Sequence, residues 1–364
     1  MKQIHPLRLL VKTLCLFILA NLLFAAWNPP VGRISGYNLV FPGRTRLPFG
    51  GGLTDFNISV DNLDAMFASH VIAAPRQPGE FRVVLLGDSS VWGVLLYPNQ
   101  TLSAQLNDLQ ISCPGKNLRF FNLGYPHPSV VKDLLLMDKA LEYKPDLIIW
   151  VLTTNSLNSK SANPFLLENM DRVSALEQRL RLKDETRGPG LAPKTLFDKT
   201  FIGEDRQLAR LLLLQALGPV WAATGLDQVP PGNYTRLSND LEKSLRFGGM
   251  NQPGNIRPTL RLDYLDAGAR LSGNIPLVYV NEPIFIATGK NSDIRYNATA
   301  PRWAYSQYRS ILSRLATARH WDYIDLWNAI PAQDFTDSEV HLSVDGEQLL
   351  AKALQPVIQK NACP

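Results

Sequence analysis

The feature that most narrows the fold is an apolar run of strand length that recurs along the chain and each time stops at a glycine, an asparagine or an acid. It appears as FRVVLLGDS near residue 81, LRFFNLGYP near 118, DLIIWVLTTNS near 146 and IPLVYVNEP near 275, with WDYIDLWNAI near 321 as a fifth, more polar copy. These runs do not alternate with polar residues, so both faces of each strand are expected to be buried. Between them lie LSAQLNDLQ, VVKDLLLMDKALEYKP and the closing SVDGEQLLAKALQPVIQK, whose apolar residues recur at helical spacing. Strands that alternate with helices in this way predict a parallel sheet covered on both sides.

The 364 residues suffice for one large domain with insertions. The net charge of +5 is scattered, with no run of five basic residues and no aromatic interleaving, so a nucleic-acid partner is not expected. Residues 1–28 are expected to be a membrane anchor or signal segment. Lys2, Arg8 and Lys12 precede an apolar run from Thr13 to Trp27, which Leu9, Leu10 and Val11 extend toward spanning length if Lys12 snorkels. An uncleaved anchor is favoured over a cleaved signal peptide because the small-residue pattern for cleavage is poor. Either way the body is expected outside the cytoplasm, tethered in the first case and secreted in the second. There Cys113 and Cys363 can form a disulfide, if the fold brings their Cα atoms together. Cys15 lies in the apolar run, and no CxxC pair suggests a metal.

Residues 29–80, rich in Gly, Pro and Asn, read as a linker or wrapping arm with a short helix near VDNLDAMFASHVI. The folded body is placed at 81–364, with a largely helical insertion at about 156–270. The Leu-rich QLARLLLLQALGPVWAATG within it reads as a buried or interfacial helix, because Arg210, Gln215, Gly218 and Pro219 argue against a second span.

Ligands of a doubly wound sheet bind outside the carboxyl ends of the strands. The first run ends at Gly87-Asp88-Ser89, the second at Asn122-Leu123-Gly124, the third at Thr154-Asn155 and the fourth at Asn281-Glu282; FTDSEVHLSVDG precedes the last helix. This set suggests acyl transfer. Ser89 is the candidate nucleophile, His341 the base that takes its proton, and Asp337 the acid that orients the imidazole. The N–H groups of Ser89 and Gly124 and the Asn155 amide are candidate oxyanion donors. Four more residues are candidates for the pocket, each with a structural alternative. Asp88 can hydrogen-bond the turn, His127 can be a turn residue between two prolines, Glu282 can form a salt bridge, and Arg295 can pair with Asp293 instead of an anionic substrate group.

In this order and these contexts, Ser89, Gly124, Asn155 and His341 resemble the SGNH (GDSL-like) hydrolase superfamily. GDSSVWG is similar to its first block, NLGYP to the second, PDLIIWVLTTNS to the third in spacing, and TDSEVHLSVDG to the fifth. The resemblance covers about 81–155 and 275–360. Two departures stand out. The third block usually reads Gly-x-Asn-Asp, and here it is Thr153-Thr154-Asn155-Ser156. The fifth usually places its acid three residues before the histidine; that position is Ser338, with Asp337 before it and Glu339 after it. A Ser89–His341 dyad held by a backbone carbonyl is the alternative to a triad.

The resemblance implies a three-layer α/β/α, flavodoxin-like sheet of five parallel strands, with the insertion between the third and fourth. It also implies a serine esterase or O-acyltransferase that needs no metal or organic cofactor. The expected substrate is an acyl ester, acetyl above all, in a setting such as acetylated cell-envelope polysaccharide. The alternative is a catalytically silent glycan-binding or assembly component of an envelope complex.

Overall fold

A computed structural model describes residues 5–50, 58–158, 163–182, 194–226, 229–230 and 232–363. Parts of the expected arm and insertion, and Lys2, lie outside the described residues. The five apolar runs form β1 (Glu80–Leu86), β2 (Asn117–Asn122), β3 (Leu147–Leu152), β4 (Leu277–Asn281) and β5 (Asp322–Asp325). They pair in parallel in the order β2-β1-β3-β4-β5, with Val84 opposite Phe121, Leu85 opposite Ile149, Trp150 opposite Tyr279 and Val280 opposite Ile324. This is the flavodoxin-like order, and its direction reverses between β1 and β3.

Successive side chains of each strand enter opposite cores, as strand geometry requires. Val84, Leu86, Ile148, Trp150, Leu152 and Tyr279 face the helices Val130–Leu141, Leu262–Ser272 and Arg302–Arg319. Val83, Leu85, Ile149, Val151, Val278 and Val280 face Leu102–Asp108 and Val344–Ala362. Three layers result, with β1 and β3 buried on both faces and β5, at the edge, half-exposed along its length. The helix Leu262–Ser272, at the end of the expected insertion, packs on the sheet itself. A Cβ at Gly268 would come within 2.5 Å of the Trp150 ring, so that glycine is what lets the helix lie down on β3.

Other helices between β3 and β4 lie at Thr154–Asn158, Pro164–Glu168, Met170–Leu180, Asp205–Ala216 and Gly218–Thr224. Asn163 caps the second, its Oδ1 accepting from Leu166 N at 2.9 Å. The Leu-rich stretch is only half buried: Leu211 and Leu214 face inward and Leu212, Leu213 and Leu217 face out. At the N-terminus a 22-residue helix, Pro6–Trp27, is long and apolar enough to serve as a membrane anchor or a signal sequence.

The helix Val344–Ala362 begins where Ser343 Oγ accepts from Gly346 N at 3.2 Å. Its first turn carries Glu347 into the core. Burial raises that carboxyl from its ordinary 4.5 to about 8. The far end of the same helix leads to Cys363, which is disulfide-bonded to Cys113 across a Cα–Cα distance of 5.4 Å and 250 residues of chain.

Two outcomes follow for stability. Between about pH 4.5 and 8 the folded chain keeps a proton on Glu347 that the unfolded chain has released, so this group's contribution falls as pH rises through that window. Glu347→Gln should therefore stabilise the protein by roughly 1–3 kcal/mol at pH 8 and by little at pH 5, read from denaturant midpoints. Replacing both Cys113 and Cys363 by Ser should cost about 2–5 kcal/mol in the same assay, because the bridge closes so long a loop of the unfolded chain.

Candidate active site

β1 runs out at Leu86 and the chain turns at once into a four-residue helix, Ser89–Trp92, with Asp88 as its N-cap residue. Gly93 ends it in a left-handed conformation, φ 85°, its N–H bonded to Ser89 O at 3.0 Å. The turn presents the Ser89 hydroxyl at the carboxyl edge of the sheet, beside the point where the strand order reverses.

His341 Nε2 lies 2.8 Å from Ser89 Oγ, and His341 Nδ1 lies 2.8 Å from Asp337 Oδ1. The loop that supplies both is a tight closure. Phe335 bridges Leu342, Thr336 N donates to His341 O at 2.9 Å, and Asp337 is thereby folded back onto the ring four residues ahead. The hydrogen bond with His341 holds the Asp337 carboxyl below its ordinary value. Ser338 and Glu339 do not take this place: Ser338 offers its carbonyl to His341 N, and Glu339 its carbonyl to Phe285 N.

Asn155 sits in the short helix Thr154–Asn158 that opens directly after β3, and its side chain is exposed. The altered third block explains that helix. Thr153 N donates to Ser156 Oγ at 3.0 Å and Ser156 N to Thr153 Oγ1 at 2.8 Å, a reciprocal closure of the first turn. Thr153 Oγ1 also donates to Asp88 Oδ2 at 3.1 Å, which ties the third block to the nucleophile turn. Gly124 is packed against that same turn; a Cβ there would meet Trp92 N at 2.5 Å. Its N–H is engaged, donating to Asn122 Oδ1 at 3.0 Å, while Asn122 Nδ2 donates to Val91 O at 2.7 Å. Of the three expected oxyanion donors, Gly124 thus already has a partner.

The four pocket candidates divide. Asp88 is buried beneath the serine, and burial raises its carboxyl while Lys132 opposes the rise. Glu282 is buried too, and burial followed by the nearby Asp88 raises it well above the ordinary value. Its partner is a hydroxyl rather than the expected basic side chain: Ser90 Oγ donates to Glu282 Oε2 at 2.6 Å. Arg295 pairs with neither Asp293 nor open solvent. It is buried and donates to the carbonyls of Asn297 at 3.0 Å, Ser244 at 2.7 Å and Ala298, so it holds its loop together. His127 adopts φ 84°, the left-handed turn conformation, with its ring edge-on to Phe49 at 5.5 Å.

Sequence reasoning missed several supporting residues. Lys132 is fully buried, and its Nζ donates to Gly87 O at 2.7 Å and Tyr125 O at 2.8 Å while pairing with Asp133. A Lys-Asp pair inside the apolar VVKDLLL was the available signal. Arg46 donates to Gly93 O at 2.9 Å and Leu96 O at 3.0 Å and lies over the Trp92 ring at 4.1 Å. No local pattern announces that contact, which spans nearly fifty residues. Beside Asn155 opens a cavity of about 700 Å³, lined by Asn158, Asp240, Glu242, Arg246, Phe247 and Phe285 among others. Among the described residues no cluster of His, Cys, Asp and Glu is arranged to hold a metal ion.

No family model matches this chain, and no curated protein matches it. Solved structures do. A carbohydrate acetylesterase family member from Sinorhizobium meliloti is 11% identical, the match covering 78% of this chain and 99% of that one, with a TM-score of 0.34. A member of the lipolytic protein G-D-S-L family from Veillonella parvula is 11% identical over 77% of this chain and 99% of that one, TM-score 0.37. The aryl esterase of M. smegmatis is 12% identical over 77% of this chain and 99% of that one, TM-score 0.33.

Proposed function

We propose that this chain is a serine ester hydrolase of the SGNH type. One observation carries the reading: Ser89, His341 and Asp337 form an unbroken relay of two 2.8 Å contacts at the carboxyl edge of the sheet. Ser89 Oγ attacks the acyl carbon as its proton passes to His341 Nε2. Asp337 accepts from Nδ1–H and so fixes the tautomer that leaves Nε2 free to act as base. The imidazolium then protonates the departing alkoxide. Water, deprotonated by the same imidazole, cleaves the acyl-enzyme; a sugar hydroxyl in its place gives O-acyl transfer. Ser89 N–H, at the first position of its helix, and the exposed Asn155 amide serve the oxyanion.

The cavity beside Asn155 supports a glycan ester as substrate. It mixes carboxylates, amides and a guanidinium with the rings of Phe247 and Phe285. Such walls suit hydroxyl-rich sugar faces better than a lipid tail. An acetyl ester on envelope polysaccharide fits this lining, a membrane-anchored body, and a disulfide that persists only where conditions are oxidising. A silent binding component would have no use for the Ser89–His341–Asp337 geometry.

The full chain in detergent should hydrolyse p-nitrophenyl acetate, and Ser89→Ala should lower turnover by about 10³–10⁶. A fluorophosphonate should label Ser89 in the wild type alone. If the wild type neither turns over nor labels, the chain is a binding component. Asp337→Asn should reduce kcat by about 10²–10⁴, because the imidazole loses its tautomer control. Since the hydrogen bond with His341 holds Asp337 below its ordinary 3.8, activity lost on acidification above that value does not come from protonation of Asp337. Asn155→Ala should lower kcat by about 10²–10³ with a smaller change in KM, which stopped assays on an acetylated oligosaccharide would resolve.

A further inference from the structure

The helix Asp205–Ala216 is apolar on two sides. Leu211 and Leu214 are buried against the body. Yet from Ala209 onward the exposed positions are Ala209, Leu212, Leu213 and Ala216, continued by Leu217 and Val220. Leu212 is 72% exposed and Val220 60%. Their spacing sets them on one outward stripe. Just before this helix Leu196, Phe197, Phe201 and Ile202 are exposed as well. A contiguous apolar surface of this kind is built to be covered.

The N-terminal helix identifies the cover. Phe201 stacks on Phe24 with ring centroids 3.9 Å apart, and Ile202 N donates to Asn21 Oδ1 at 3.3 Å. Asn21 and Ala25 are the buried positions of the helix Pro6–Trp27, whose last residue is an exposed tryptophan suited to the headgroup level. At 1.5 Å per residue, Phe24 lies about 4–5 Å and Asn21 about 9 Å to the membrane side of Trp27. Residues packed at those levels lie within the acyl boundary whenever the helix spans. The Leu-rich helix is tied to the same neighbourhood: Gly36 N donates to Gln215 Oε1 at 2.8 Å, and Gly218 abuts the Tyr37 hydroxyl. Ile34, Leu39 and Val40, on the segment between, are exposed too.

We propose that residues 194–226 form a monotopic membrane seat, embedded in the same phospholipid leaflet from which the N-terminal helix emerges. The depth implied by the Asn21 and Phe24 contacts matches the ~5–10 Å reached by interfacial helices. The seat also accounts for a polar side chain in the membrane segment. Asn21 Nδ2 donates to Phe17 O at 2.9 Å and its Oδ1 accepts from Ile202, so the amide is satisfied inside the bilayer. The basic groups at the start of the segment point elsewhere: Lys194 is paired with Glu168 and Glu204, and Lys199 with Asp171.

The test uses the full chain, Cys15→Ser, reconstituted in phosphatidylcholine vesicles. An environment-sensitive fluorophore is attached to Leu212→Cys, Phe197→Cys or, as a control on an exposed position of the last helix, Lys352→Cys. Each labelled variant is first matched to the unlabelled melting curve. Probes at 212 and 197 should be quenched several-fold more by a shallow lipid-borne nitroxide than by aqueous iodide, with the reverse at 352. Iodide quenching at 212 equal to that at 352 overturns the proposal. So does shielding of 212 from both quenchers, which would assign the stripe to a second copy or a protein partner.

Discussion

The site hangs on one buried ammonium group. Lys132 Nζ sits at the carboxyl edge of the sheet with no exposure to water, bonded to Gly87 O, Tyr125 O and Asp133. Gly87 leads into the nucleophile turn, and Tyr125 follows the glycine that packs on that turn. Asp133 in turn accepts from Trp150 Nε1 of β3 at 3.0 Å. One lysine and its neighbour thus fasten the ends of β1, β2 and β3 together. Burying an isolated charge costs several kcal/mol, and only this full set of acceptors makes the arrangement tolerable. A leucine there would fill the volume but leave Tyr125 O without its donor, Gly87 O with only the Tyr125 N–H, and Asp133 without its counter-charge.

The same ammonium bears on what lies under Ser89. Asp88 and Glu282 are both buried there and influence each other; dehydration pushes both toward the neutral form. In the proposed reaction, two carboxylates fixed at full charge under Ser89 would oppose an oxyanion forming above it. Burial removes much of that opposition without removing the side chains, which do positioning work: Asp88 accepts from Thr153 and Glu282 from Ser90. Lys132 spends its donors on Gly87 O, Tyr125 O and Asp133, so it steadies the backbone of the turn.

The fold was legible because burial on both faces leaves a sheet strand few residue types to use, and five such runs stand out against helical spacing. The relay was legible because its members sit at strand ends, where a polar residue interrupts an apolar run. Asp337 was found one place off the family's usual position because the loop from Phe335 to Leu342 closes on a bridge that carries it back to the ring. What stayed hidden was pairing over distance. Glu282 and Ser90 are 192 residues apart in sequence, and neither advertises the other. Arg295 read either as a ligand for an anion or as a partner of Asp293, because an arginine in a polar loop carries no mark of the three carbonyls it will cap. Gly124 read as a free donor because its engagement depends on the rotamer of Asn122, two residues earlier.

The segment at 29–80 shows where composition stops short of function. Its Gly, Pro and Asn content reads as a linker or a wrapping arm without saying which, and it is clamped at several places to parts that matter. Arg46 caps Gly93 and Leu96 behind the nucleophile helix, and Trp92 Nε1 answers by donating to Leu47 O at 2.8 Å. Further along, buried Asp61 accepts from Arg210 of the Leu-rich helix at 2.9 Å, and its carbonyl accepts from Asn169 Nδ2 at 2.6 Å. One stretch of chain therefore touches the turn that carries Ser89, the helices inserted after β3 and, through Tyr37 against Gly218, the base of the apolar stripe. Its described residues carry one α-helix, Leu63–Ser69, and two short 3-10 turns, and are otherwise irregular where they pass over these surfaces. The arm thus belongs to the folded body, and severing it from the body would strip carbonyl caps from the turn that aims Ser89.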